Sequence, residues 1–338
     1  MIRQLRCVFL VTLVCALCQW MAPGRMAVVG SARASISCTA SMSNLSFGNV
    51  DPYSSGTTAS AALSYTCTNS GLATPTYSAL ICFSIGEPAG GPTNPRRMTG
   101  PSGNTLSFQL WQDPGLTIVW GSQFFGFNSP KTLSVTLAGG VLGGATTSGT
   151  IPLYGQVFNG QTTAVPGSYT DNYSPGDTAI TINQVQGNTP PTTCSGTISA
   201  QFGSFTVSAT VAKSCYVTAN DLNFGAGVGL LTSAVTGSTT LAVQCSNGTP
   251  YNIGLDAGLN GGGNVNARKM LLGTDSVSYQ LYQNAGLTQV WGNTVGTNTA
   301  PGTGTGNTQS YTVYGQVPPQ TTPTPGQYKD LITVYVTY

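Results

Sequence analysis

Leu106-Ser107-Phe108-Gln109-Leu110-Trp111-Gln112-Asp113-Pro114-Gly115-Leu116-Thr117-Ile118-Val119-Trp120-Gly121 returns later in the chain as Val277-Ser278-Tyr279-Gln280-Leu281-Tyr282-Gln283-Asn284-Ala285-Gly286-Leu287-Thr288-Gln289-Val290-Trp291-Gly292. Working outward from this pair, three more landmarks recur in the same order. Cys38, Leu45-Ser46-Phe47-Gly48 and Cys67 match Cys215, Leu222-Asn223-Phe224-Gly225 and Cys245. Tyr154-Gly155-Gln156-Val157 matches Tyr314-Gly315-Gln316-Val317, and Pro166-Gly167-Ser168-Tyr169-Thr170-Asp171 matches Pro325-Gly326-Gln327-Tyr328-Lys329-Asp330. Copies offset by roughly 160 to 177 positions are a domain apart, too far for a solenoid repeat. The chain is two homologous domains in tandem.

Within each copy, alternating runs recur between glycine and proline turns. Phe205-Thr206-Val207-Ser208-Ala209-Thr210-Val211 puts four apolar residues on one face and three hydroxyls on the other. Ile332, Val334, Val336 and Tyr338 share a face in the same way. Period two with this punctuation predicts strands, and no amphipathic helix of useful length stands out. Each copy is thus an all-β domain of sandwich size. The expected boundary follows the proline-bearing stretch 188–193, which gives an N-terminal domain over 35–203 and a C-terminal domain over 204–338.

The first 34 residues read as an export signal: Arg3 and Arg6, then an apolar run over 7–17, then Ala32-Arg33-Ala34 as a cleavage site. The run is too short to span a bilayer. Of the 11 basic residues of the whole chain, Arg3, Arg6, Arg25 and Arg33 leave with this segment, so seven face 9 acidic ones, a net of −2. Nothing in that balance neutralises a phosphate backbone, so nucleic acid is not an expected partner. Six cysteines remain, and an even count in an exported chain implies disulfides. The repeat suggests their pairing. Cys38–Cys67 and Cys215–Cys245 occupy matching places 29 and 30 residues apart, which leaves Cys82–Cys194.

The early cysteine with Leu-x-Phe-Gly downstream, Gln-Leu-[Trp/Tyr]-Gln, Tyr-Gly-Gln-Val and Pro-Gly-x-Tyr-x-Asp resemble, in this order and twice over, the spore coat protein U family. That family comprises the subunits of archaic, Csu-type chaperone–usher pili, and the resemblance covers nearly all of the chain after the signal. It implies two tandem immunoglobulin-like β-sandwiches that lack a last strand, completed by a strand from a neighbouring subunit or a periplasmic chaperone. The implied partners are that chaperone, an outer-membrane usher and an adjacent minor pilin. The implied location is the surface of a Gram-negative bacterium, reached through the periplasm.

On this resemblance a shaft subunit needs an N-terminal extension to donate, and only Ser35, Ile36 and Ser37 precede Cys38. The second domain stops eight residues after Asp330, so an unpaired sheet edge is expected there, with Ile332, Val334, Val336 and Tyr338 facing a chaperone or subunit. The first domain has a tail from Asp177 through Cys194 to Ile198, expected to supply its closing strand, pinned by Cys82–Cys194. A chain that accepts a strand without giving one suits a fibre's end: a two-domain tip adhesin that mediates attachment and biofilm formation. The alternatives are a shaft or coat-like structural subunit, or a carbohydrate-binding surface module or hydrolase.

The expected binding residues are those the first copy has added. Its Cys67–Met98 span is 31 against 25 in the second copy, and its Trp120–Tyr154 span is 34 against 23. The second insertion carries Phe124, Phe125 and Phe127 and the glycine-flanked Val141 and Leu142. An exposed apolar cluster of this kind marks an interaction site, on an abiotic or host surface, although alternation also gives at least one of Phe124 and Phe125 an inward path. Arg96 and Arg268 recur, which favours a strand-edge structural role, and Asp171 and Asp330 recur as expected turn residues. Asp177 suits a polar turn better than a calcium loop, and Trp120 and Trp291 suit the two cores. The chain has no histidine, the commonest general base and metal ligand, and no Gly-x-Ser-x-Gly elbow. No catalytic residue, metal or cofactor is therefore expected.

Overall fold

The computed structural model describes residues 35–53, 56–71, 73–91, 94–226 and 228–338; the expected export signal over 1–34 lies outside them. The first copy contributes β1 (Ser35–Met42), β2 (Leu45–Val50), β3 (Thr58–Ser70), β4 (Tyr77–Ile85), β5 (Arg96–Thr99) and β6 (Thr105–Trp111). It continues through β7 (Lys131–Leu137), β8 (Thr146–Val157), β9 (Gly167–Tyr173), β10 (Thr178–Gln186) and β11 (Phe205–Val211). An eight-stranded sheet in the order β1-β3-β8-β6-β5-β9-β11-β2 packs on a three-stranded sheet β10-β4-β7. The inward residues of both sheets build one core around Trp120, Phe83, Phe108 and Leu45.

The second copy contributes β12 (Cys215–Ala219), β13 (Val235–Cys245), β14 (Pro250–Leu255), β15 (Lys269–Leu272) and β16 (Asp275–Ser278). It ends with β17 (Gln280–Tyr282), β18 (Ala300–Thr303), β19 (Gln309–Val317) and β20 (Val334–Thr337). These form sheets β12-β13-β19-β17 and β18-β14-β20 and the hairpin β15-β16, around a second core centred on Trp291. Both halves are all-β sandwiches, and the described residues include only three short 3-10 turns as helix.

The repeated motifs hold these sandwiches together in the same way twice. Trp120 donates from Nε1 to the Phe83 carbonyl at 2.9 Å, and Trp291 to that of Ile253 at 2.9 Å. Arg96 and Arg268 are completely buried rather than sitting at a strand edge. Arg96 donates to Gln109 Oε1 (3.1 Å) and to the carbonyl of Trp120 (2.8 Å); Arg268 donates to Gln280 Oε1 (2.7 Å) and to the carbonyl of Trp291 (2.8 Å). A buried guanidinium is tolerable only with its donors satisfied, so the arginine and the first glutamine of Gln-Leu-x-Gln recur together. Tyr169 Oη donates to the Val165 carbonyl at 2.8 Å and Tyr328 Oη to that of Thr324 at 2.7 Å, the tyrosine corner of immunoglobulin-like sandwiches. Gly155 and Gly315 are glycine because a Cβ there would collide with Leu45 and Phe47, or with Leu222 and Phe224. This contact ties Tyr-Gly-Gln-Val to Leu-x-Phe-Gly.

Three disulfides close the framework. Cys38–Cys67 joins directly opposed residues of β1 and β3, and Cys215–Cys245 does the same for β12 and β13. Cys82–Cys194 ties the middle of β4 to the segment beyond β10.

Strand pairing corrects three readings of the sequence. The segment 205–211, placed in the second domain by the proline-bearing stretch before it, pairs within the sheet of the first. As β11 it runs antiparallel to β9 from Phe205↔Tyr173 to Val211↔Gly167 and parallel to β2 from Val207↔Leu45 to Val211↔Val50. The packed first sandwich therefore extends through Val211. The tail from Asp177 onward is not the closing strand of the first domain. Its β10 pairs with β4, Ile180 opposite Phe83, just as β20 of the second domain pairs with β14, Val336 opposite Ile253. Asp171 is no turn residue but a buried member of β9. Alternation identifies a strand and its inward face, but it carries no information about which sheet receives the strand.

The two domains meet beside the exit of β11. Tyr216 Oη donates to Asp51 Oδ2 (2.5 Å), the Tyr53 and Tyr216 rings meet edge to face at 5.6 Å, and Asn247 Nδ2 donates to the Thr163 carbonyl (2.9 Å).

Candidate strand-acceptor groove and surface loops

In the first domain Phe205, Val207, Ala209 and Val211 of β11 are all at most 3% exposed. Phe205 stacks on Tyr173 with centroids 4.3 Å apart and planes 5° from parallel. The flanking residues Leu45, Phe47, Val50, Tyr169 and Tyr173 are buried with them. Burying one such aromatic or branched side chain contributes about 1.5–3 kcal/mol, so β11 completes this core.

The second domain repeats both flanks of that site. Residues 222–225 correspond to β2 and residues 327–330 to β9, yet neither segment is a strand. The β9 counterpart keeps one pair of backbone bonds, Leu271 N to the Lys329 carbonyl (2.9 Å) and Lys329 N to the Leu271 carbonyl (3.1 Å). The matching pair in the first domain is Thr99↔Thr170. Nothing among the described residues pairs with the edge that faces residues 222–225. Leu222, Phe224, Met270, Tyr328 and Ile332 are half-buried where their first-domain counterparts are buried, and Leu259 and Leu331 stand 74% and 62% exposed beside Asp330. The two segments that flank β11 in the first domain are thus unpaired towards one another here among the described residues, with half-buried apolar side chains beside them.

The residues expected to face a partner are placed differently from one another. Ile332, Val334 and Val336 pack against the core of their own domain as the inward face of the last strand, while Tyr338 is 53% exposed. The unpaired edges lie before them in sequence, at 222–225 and 327–331. The signal available for this was the Leu-x-Phe-Gly repeat, whose first copy lies beside β11.

The structure separates the expected surface-binding residues into two places. Phe124, Phe125 and Phe127 lie on a tight loop after Trp120. Ser122 Oγ accepts from the backbone N–H groups of Phe124 (3.0 Å) and Phe125 (3.1 Å), and Ser122 N donates to the Phe127 carbonyl (2.7 Å). Phe125 lies over Gly86, where a Cβ would come 2.7 Å from the ring-bearing carbon, while Phe124 and Phe127 are 42% and 41% exposed. The second domain turns at the same place with two fewer residues, Gly292 N donating to Asn298 O at 2.9 Å where Gly121 N donates to Ser129 O at 2.8 Å, and Val295 is exposed there.

Val141 and Leu142 lie at the other end of β7, about 20 Å away at about 3.3 Å per residue. They are 80% and 89% exposed. Most of the inserted length lies in this hairpin, where β7 and β8 have seven and 12 residues against four and nine in β18 and β19, and the turn between them is longer too. The loop is braced from β3 and the turn after it. Thr74 N donates to the Gly140 carbonyl (2.8 Å), Ala73 N to that of Val141 (3.0 Å), and Gly144 N to that of Asn69 (2.8 Å). Asn69, fully buried, donates from Nδ2 towards the carbonyls of Pro75 (2.8 Å), Leu137 (3.2 Å) and Ala138 (3.3 Å). Sequence reading missed this asparagine, which carries no motif. Because β3 starts near the Asp51–Tyr53 junction and ends beside this loop, Val141 and Leu142 stand about 40 Å from the second domain, the length of 13 strand residues.

One further cluster is specific to the first domain. Glu87 pairs with buried Arg96 at 2.8 Å and accepts from Tyr173 Oη at 3.1 Å. Asp171, beside them, has a buried Oδ2 with no hydrogen-bond partner. Burial, reinforced by the negative charge of Glu87, pushes the Asp171 carboxyl up to about 7, and burial also raises Glu87. In the second domain Asp330 instead accepts from Tyr279 Oη (2.7 Å), Leu259 N (3.0 Å) and Asn260 Nδ2 (3.0 Å). Asp177 caps the turn at Ser174, accepting from its N–H (2.8 Å) and hydroxyl (2.7 Å). No group of three or more metal-ligating side chains occurs among the described residues.

Comparison with solved structures gives a likeness of fold. The chaperone–tip adhesion subunit pre-assembly complex CsuC–CsuE from archaic chaperone–usher Csu pili of Acinetobacter baumannii is 19% identical. The match covers 89% of this chain and 100% of that one, with a TM-score of 0.50. The CupB6 tip adhesin of Pseudomonas aeruginosa is 12% identical over 90% of this chain and 95% of that one, with a TM-score of 0.36. No curated protein sequence matches the chain. The Spore Coat Protein U domain matches twice, over residues 25–174 and 201–335, so both sandwiches are accounted for and the chain belongs to the Spore Coat Protein U domain family.

Proposed function

We propose that this protein is the two-domain tip adhesin of an archaic chaperone–usher pilus. In this reading the second domain is joined to the fibre by accepting a strand, and the first meets the surface on which a biofilm starts. The observation that carries it is the contrast between the copies: one groove is filled by β11, and no described residue pairs across its counterpart at residues 222–225 and 327–331. An exposed, apolar edge of this kind recruits a strand from another chain. A periplasmic chaperone is the first donor, an adjacent minor pilin delivered at an outer-membrane usher the second. The solved CsuC–CsuE complex, a chaperone with a tip subunit, is consistent with that order.

The surface-facing element in this reading is the Val141–Leu142 loop. It is apolar, braced by backbone bonds and remote from the acceptor groove, so little ordering entropy opposes its contacts. Each buried aliphatic side chain contributes about 1.5–3 kcal/mol, and many fibres sum such contacts. The test uses cells displaying equal numbers of pili. Val141→Ser with Leu142→Ser is expected to cut attachment to polystyrene at least several-fold, whereas Phe124→Ser with Phe127→Ser changes it little. Undiminished attachment in the first pair, or loss in the second alone, places the contact elsewhere.

A further inference from the structure

We propose that the Cys82–Cys194 disulfide is a mechanical strap that limits how far the first domain opens when the second is pulled. The proposal rests on the reading of the second domain as the end joined to a fibre. The chain leaves β11 at Val211 and enters β12 at Cys215, so tension between the two domains enters the first domain through β11. Loaded along its length, β11 shears against β9 and β2, and its rungs resist together.

Upstream of β11 the geometry changes. Residues 187–204 form no strand and are held by the bridge of Ala200 to Ile180 and by the buried Phe202 ring; before them comes β10, which lies at the edge of the sheet β10-β4-β7. Tension reaching β10 from its Gln186 end would unzip it from β4 one pair at a time, a much weaker mode than shear. The bridge intervenes first. Cys194 stands between β10 and β11, and its partner Cys82 is fully buried in β4, the central strand with β10 and β7 on either side. Once β11 slides out and residues 195–204 straighten, load passes through sulfur to β4 and bypasses β10.

Comparison of the two copies isolates the device. The tryptophan bonds to Phe83 and Ile253 align β4 with β14 and put Asn252 in the place of Cys82. The other two disulfides are equivalents, one in each domain; this one occurs only where a strand of the domain is also the connection to the next.

The test is single-molecule extension between a handle in the Val141–Leu142 loop and one at Lys213, a pair that loads β11 without involving the second domain, pili or adhesion. In the oxidised chain the first rupture is expected to free residues 195–211, about 17 residues or about 60 Å of contour. Cys82→Ser with Cys194→Ser is expected to lengthen that first release about twofold, as β10 follows. Should the double variant not fold, the oxidised protein held under load and exposed to reductant after its first step should show the same second extension. Equal first releases with and without the bridge, or no added length on reduction, would overturn the strap. Attachment assays are not involved, so failure of the adhesin reading leaves this result interpretable.

Discussion

Asp171 and Glu87 show what one changed side chain does to a shared scaffold. In the second domain Asp330 is satisfied by the Tyr279 hydroxyl; the first domain has Phe108 in that place and turns to Glu87, Tyr173 and Arg96 instead. Burial, then the Glu87 charge, raises the Asp171 carboxyl to about 7 in the folded domain, against about 3.9 in the unfolded chain. Over that interval the folded state holds a proton that the unfolded state has released, so stability falls as pH rises from about 4 to about 7 and then levels. Equilibrium unfolding of the first domain across this range is expected to show that decline. Asp171→Asn should flatten it, and a variant retaining the full slope would assign it to another group. The recurrence of Asp171 and Asp330 in Pro-Gly-x-Tyr-x-Asp was legible in the sequence. Their burial was not, because an aspartate after glycine and proline reads as a turn until the sheet around it is known.

At the scale of the element, β11 is where sequence and structure part. Its alternation was plain, and the inward set Phe205, Val207, Ala209 and Val211 is the one the structure buries. Its ownership was invisible, since period two fixes a face but a sheet partner depends on non-local pairing. The family match restarting at residue 201 likewise assigns this strand to the second copy, so the second copy supplies, within one chain, the strand that completes the first. The reach of the inserted loops was hidden for a related reason. An insertion counted between two landmarks does not say where between them the extra residues go, and here they lengthen β7 and build the Val141–Leu142 loop. Phe205→Ala tests the role of β11 directly. Removing a ring stacked on Tyr173 from a fully packed site is expected to cost the first domain about 3–5 kcal/mol, read by denaturant unfolding of that domain. A loss below about 1 kcal/mol would mean that β11 covers the core without completing it.

For the whole molecule, both sandwiches share a framework of tryptophan, arginine, glutamine and tyrosine corner, and they differ in what fills one groove. That difference makes the position of a cut decisive. A first-domain fragment ending at Lys213 includes β11 and is expected to be monomeric and to melt cooperatively. A fragment ending at Gly203, the boundary expected from the proline-bearing stretch, leaves Leu45, Phe47, Tyr169 and Tyr173 facing an unpaired groove and is expected to aggregate. Adding a peptide of residues 204–212 in trans should restore the melt of the shorter fragment, because the strand contributes through its rungs and four inward side chains rather than through its covalent connection. The second domain from Ser214 onward should behave like the shorter fragment until a donor strand is fused to it. Hydrogen exchange gives the residue-level reading: amides over 222–225 and of Gln327, Tyr328 and Asp330 should exchange fast alone and slow markedly once a strand is supplied. If the fragment ending at Gly203 melts as cooperatively as the longer one, β11 is dispensable, and the contrast between a filled and an open groove no longer distinguishes the two ends of this chain.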